Sequence, residues 1–127
     1  MMFLVTGYFN AEKMNEKTDL EIDQITVTCE PYLQELYATE QVLIDIGLEA
    51  NVKQLKRESH QISITDGHDT GLKEVMGSAF VIEALDMEDA VRIASIHPTT
   101  QVPEAESLGW RLEIRPVQYY RSREEYM

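Results

Sequence analysis

The chain is poor in cysteine, in positive charge and in long apolar runs, and each shortage excludes a class of protein. Its single cysteine, Cys29, cannot form an internal disulfide, and no Cys cluster has the spacing of a metal site. A reducing, cytoplasmic setting is therefore expected, with no metal and no cofactor. Eleven Lys and Arg stand against twenty-three Asp and Glu, a formal net charge of -12. Such a surface repels phosphate backbones and anionic bilayers, so neither nucleic acid nor membrane is expected as a direct partner. No stretch approaches the roughly 18 to 20 consecutive apolar residues that a membrane-crossing helix needs. Internal repeats and low-complexity blocks are lacking too. The apolar opening from Met1 to Tyr8 has no basic n-region and no small-residue cleavage site, and reads as a first strand rather than a signal peptide.

What remains suits one ordinary core. With 127 residues and 43% hydrophobic content, a single domain over residues 1–127 is expected, with a charged tail over about 118–127. After the first strand, Asn10 to Asp19 are polar and read as a solvated connection. A helix follows from about residue 20 to 41, in which Tyr32, Leu33, Leu36 and Tyr37 share a face. Its first half is less clear. Ile25, Thr26, Val27 and Thr28 are β-branched and favour strand, and Pro31 would begin or kink a helix.

Val42 to Ile46 supplies the next strand, and Gly47 marks its turn or bulge. Val52 and Leu55 on one arm, with Ile62 and Ile64 on the other, predict a hairpin whose tip is Arg57 to Gln61. Phe80-Val81-Ile82 fits a short strand buried on both faces. Asp86 is a good N-cap for a helix carrying Met87, Ala90, Val91 and Ala94 on one face, ending at His97-Pro98. A polar loop from Thr99 to Leu108 leads to a last strand from Trp110 to Pro116, where Trp110, Leu112 and Ile114 alternate with Arg111, Glu113 and Arg115. The order β-α-β-hairpin-β-α-β is that of an α+β ferredoxin-like sandwich: an antiparallel sheet, two helices on one face and a β-hairpin extension. Two helices cannot cover both sheet faces. The open face is therefore expected to pair with a second copy in a homodimer.

Chemistry-bearing residues gather around Ile64-Thr65-Asp66-Gly67-His68-Asp69 and Lys73-Glu74. Asp66, His68 and Glu74 are the catalytic candidates, since a carboxylate can orient an imidazole and keep it basic near neutral pH. Adjacent side chains in an extended segment point apart, which favours a plain solvated histidine at His68. A metal held by Asp66, His68 and Asp69 would need a fourth ligand that the sequence does not offer. Lys73 and Glu74 also fit a surface ion pair. His97 is read as satisfying the last carbonyls of its helix, Cys29 as a buried inert thiol and Trp110 as core.

Thr65-Asp66-Gly67, Lys73-Glu74, the Gly77 to Ala84 strand, Asp86-Met87-Glu88-Asp89-Ala90, His97-Pro98 and Glu113-Ile114-Arg115-Pro116-Val117 occur in an order that resembles the YCII-related proteins of the DGPF group. The resemblance runs from about Tyr32 to Val117. It implies a dimeric α+β barrel built sheet to sheet, a small pocket between sheet and helices, and a functional link to a sigma factor. Where the family signature continues Asp-Gly-Pro-Phe, this chain has Asp66-Gly67-His68-Asp69. Tyr32 takes the place of a helix histidine that enzymatic relatives pair with an aspartate. The pocket implied by the resemblance is rimmed by Tyr32, Asp66, His68, Glu74 and Arg115, and would take a small polar or aromatic ligand. Two readings follow: a small-molecule-binding or accessory, regulatory module without catalysis, favoured by the lost histidine, and a small-molecule enzyme using acid-base chemistry.

Overall fold

Two sheets of different character organise the molecule, which a computed structural model describes over residues 1–67 and 73–127. The main sheet has four antiparallel strands in the order β2-β5-β1-β6, formed by β1 (Met2–Asn10), β2 (Val42–Gly47), β5 (Glu74–Glu83) and β6 (Arg111–Pro116). β3 (Lys53–Glu58) and β4 (Gln61–Asp66) form the predicted hairpin as a separate two-stranded sheet. The crossovers are helical: α1 (Ala11–Asn15) and α2 (Asp19–Ala38) between β1 and β2, then α3 (Met87–Ala94), α4 (Pro98–Gln101) and α5 (Glu104–Leu108) between β5 and β6. A short α6 (Arg123–Tyr126) ends the tail. This is the strand order of a ferredoxin-like α+β sandwich.

α2 (Asp19–Ala38) ends a few residues short of the expected 41 but is more regular than its sequence suggests. Thr18 and Glu21 form a reciprocal capping box, and the helix then runs through both the β-branched segment and Pro31. The hydroxyls of Thr26 and Thr28 donate to the carbonyls of Ile22 and Gln24, at 2.9 and 3.0 Å, so neither competes with the helix for a donor. The solvated connection after β1 is partly helical. The Asn10 side chain accepts the Lys13 N–H at 3.0 Å and starts α1.

The core lies between α2, α3 and the main sheet. Phe3 and Val5 of β1, Phe80 and Ile82 of β5, Leu36 of α2, and Ala90, Ile93 and Ala94 of α3 are buried together. Asp86 caps α3 by accepting the Asp89 N–H at 2.8 Å. The buried stripe of α3 differs from the expected one. Ile93 is inside, whereas Met87 and Val91 are exposed, because the helix sits on the sheet through Ala90, Ile93 and Ala94.

The expected polar loop from Thr99 to Leu108 is instead two helical turns. Pro98, with its φ already helical, begins α4, and Val102, Ala105 and Leu108 are all buried. Gly109, at φ 68°, supplies the left-handed residue that ends α5.

Candidate functional site

A cavity of about 490 Å³ opens between the helix-facing side of the main sheet and the α2–α4 side of the molecule. Its floor exists because three neighbouring strands carry almost no side chain there. Gly7 of β1 lies opposite Ser78 of β5, which lies opposite Gly47 of β2, and Gly77 adjoins them. A Cβ at Gly47 would meet nothing within 4 Å, whereas one at Gly7 would come within 2.3 Å of Ser78 Oγ. Phe9, Met14, Leu33 and Trp110 form largely apolar walls. Concave apolar surface with a few convergent polar groups is the usual character of a small-molecule site, although this one is open along the end of β2, where Asp45 to Leu48 are exposed.

Asp45, Ser78, His97, Thr99, Cys29 and Tyr8 bring polar groups to its lining. Asp45 pairs with Phe80 across the sheet and so faces the helices. Its carboxylate accepts a hydrogen bond from the Tyr37 hydroxyl on α2. That bond, with burial and the Asp45 charge, pushes the Tyr37 hydroxyl up to about 12, so it remains a donor at neutral pH.

His97 is packed flat against Phe80, with ring centroids 5.1 Å apart and planes 7° from parallel. Burial pushes its pKa down to about 4, against a smaller opposing pull from Asp45. The ring is therefore neutral near pH 7. Its Nδ1 accepts the Thr99 N–H at 3.1 Å, capping α4. A neutral imidazole that accepts at Nδ1 carries its hydrogen on Nε2. His97 is thus a hydrogen-bond donor through Nε2, and Nδ1 is already engaged. It caps the helix that follows it rather than the one that precedes it.

Cys29 is held in the opposite way to a nucleophile. Burial, and secondarily the charge of Glu104, raise its thiol pKa and keep it protonated.

Of the residues expected from the sequence to rim a pocket, the described ones, Tyr32, Asp66, Glu74 and Arg115, do not line this cavity. Tyr32 is half-buried on α2 but does not line the cavity. Asp66 ends β4 on the hairpin, paired with Lys53 at 2.6 Å and well exposed. Glu74 grips Arg111 through two bonds of 2.7 and 2.6 Å, which lower its pKa. Arg111 also lies 4.4 Å above the Tyr8 ring. Arg115 is exposed on β6, where it alternates with the inward Ile114. His68 and Asp69 lie outside the described residues. Among the described residues, no group of three or more His, Cys, Asp or Glu is placed to hold a metal ion, and no helix is long and apolar enough to cross a membrane.

Strand order and cavity together define a ferredoxin-like α+β protein with a small-molecule-sized space between sheet and helices. No protein-family model and no curated protein sequence matches the chain. Among solved structures it is similar to 5-chloro-2-hydroxyhydroquinone dehydrochlorinase (TftG) from Burkholderia phenoliruptrix AC1100, in complex with 2,5-dihydroxybenzoquinone. The TM-score is 0.50 at 17% identity, over 94% of this chain and 96% of that one. At such identity the likeness is one of fold.

Proposed function

We propose that the protein binds a small, planar, oxygen-bearing compound in the cavity over Gly7, Gly47 and Ser78, and that the site supports acid-base chemistry on it. The observation that carries this reading is that an Asp45 carboxylate and a neutral His97 both line one largely apolar cavity. In the proposed arrangement Asp45 accepts a proton or hydrogen bond from a ligand hydroxyl. His97 Nε2–H donates to a neighbouring ligand oxygen, where negative charge would develop. The proton so taken resides on the Asp45 carboxylate until the ligand oxygen or water reclaims it. A small enzyme is favoured over a purely accessory module because the fold-related protein is named as a dehydrochlorinase and was solved with a hydroxyquinone. The same reading makes the chain a divergent, single-domain relative of the YCII-related group and a homodimer through the open sheet face, where Ile44 and Ile46 are about half exposed.

Trp110 is the single tryptophan and lines the cavity, so its fluorescence reports occupancy directly. Titration with 2,5-dihydroxybenzoquinone is expected to quench Trp110 saturably. Gly47→Leu should abolish the quenching without unfolding the chain, because its side chain enters open space. His97→Gln, which keeps a donor, should retain binding better than His97→Phe. Equal, linear quenching in wild type and Gly47→Leu would sink the proposal.

A further inference from the structure

Among the described residues the β3–β4 hairpin pairs with no strand of the main sheet, and an isolated two-stranded hairpin is marginal in water. Its register puts Leu55 opposite Ile64 and Arg57 opposite Ile62, so these residues share one face. The three apolar side chains on that face are 62 to 72% exposed. The other face, from Gln54 and Lys56 to Ser63 and Thr65, is polar throughout. This alternation is the signature of a strand pair covered on one side, yet the described residues of the same chain leave it uncovered.

Charge indicates what covers it. Lys53, Lys56 and Arg57 outnumber Glu58 and Asp66 on the hairpin strands, in a chain of net charge -12. α2 is the reverse: five acids and no Lys or Arg between Asp19 and Ala38. Leu20 and Val27 on α2 are 67 and 73% exposed. Asp23 and Glu30, three residues beyond each, fall on the same helical stripe and are exposed too. Among the described residues Arg57 has no carboxylate at ion-pairing distance.

We propose that the hairpin is a docking arm for a second copy of this chain, its Leu55, Ile62 and Ile64 lying across the α2 ridge of Leu20 and Val27, with Arg57 meeting Asp23 and Glu30. A two-fold arrangement makes the contact twice, so each weak patch counts double. The arm is additional to the sheet-face pairing and independent of the cavity.

Sedimentation over a concentration series tests it. Wild type should reach the mass of two chains, and Arg57→Glu should raise the dissociation constant by about tenfold or more. Combining Arg57→Glu with Asp23→Lys and Glu30→Lys in one chain should recover most of that loss, an outcome that a merely structural role for Arg57 would not give. These side chains are exposed, so circular dichroism and Trp110 quenching should be unchanged, which separates failure of the arm from failure of the cavity reading. A wild-type mass of one chain at all concentrations, or a charge-swapped variant as weak as Arg57→Glu, would overturn the proposal. So would dimerisation insensitive to Leu55→Ser with Ile64→Ser but lost in Ile44→Ser with Ile46→Ser.

Discussion

His97 shows how a single side chain ties stability to the candidate site. Burial holds its pKa near 4, below the ordinary 6.5 that it regains on unfolding. The unfolded chain therefore takes up a proton first as the pH falls, and stability declines between pH 6.5 and 4. The slope approaches about 1.4 kcal/mol per pH unit, with an upper bound of about 3 kcal/mol over the window. Glu21, Glu74 and Asp89, whose pKa values are lowered by their hydrogen bonds, lose their contributions only below the usual carboxylate range, so pH 5 to 6.5 isolates the histidine. Urea unfolding at pH 7 and pH 5 should show wild type losing up to about 2 kcal/mol, and His97→Phe, which retains a ring against Phe80, losing much less. Equal losses in both would mean that His97 is solvated. The sequence pointed instead to the loop at Asp66-Gly67-His68-Asp69, where titratable groups are visibly adjacent. Asp45 and His97 are remote in sequence and line the same cavity only because β2 and the start of α4 flank it. Nothing in their local context marks them, although His97 before a proline at the start of a helix is a capping pattern that could have been read.

At the scale of elements, Pro31 in α2 is the clearest conflict between sequence and structure. It lies mid-helix, where it can donate no backbone hydrogen bond and its ring crowds the preceding turn. The helix forms nonetheless, because the capping box and the burial of Ile25 and Leu36 outweigh that cost and the β-branched propensities before it. Pro31→Ala should accordingly stabilise the chain by about 1 to 3 kcal/mol, read as a higher urea midpoint at unchanged slope. A lower midpoint would show that packing of the ring outweighs the restored bond. The same competition explains which elements were legible. The hairpin was legible from its alternation alone, while alternation in β6 and the Asp86 cap of α3 announced themselves because local pattern and tertiary role agree. α4 and α5 did not, because Thr99, Thr100 and Gln101 dilute a run whose buried positions, Val102, Ala105 and Leu108, recur every third residue.

For the whole molecule, the ferredoxin-like topology was readable from the order of elements, since a four-stranded antiparallel sheet with two covered crossovers leaves few alternatives. Charge acts at this scale as well. With twenty-three acids against eleven bases, the folded chain concentrates like charge that the unfolded chain spreads out. Its ion pairs are mostly exposed and each contributes little, even the grip of Arg111 on Glu74 and Glu113. Screening should therefore relieve more repulsion than attraction. Raising NaCl from about 10 mM to about 150 mM shortens the Debye length from roughly 30 to 8 Å. It should raise the melting temperature, by about 4 °C for each kcal/mol gained in a chain of this size. Salt acts in the opposite sense on the proposed arm, where screening weakens Arg57 against Asp23 and Glu30 and raises the dissociation constant. Calorimetry at a concentration where sedimentation shows single chains isolates the first effect. A melting temperature that falls with salt under those conditions would mean that the surface ion pairs, not the excess of acid, dominate the electrostatics of the fold.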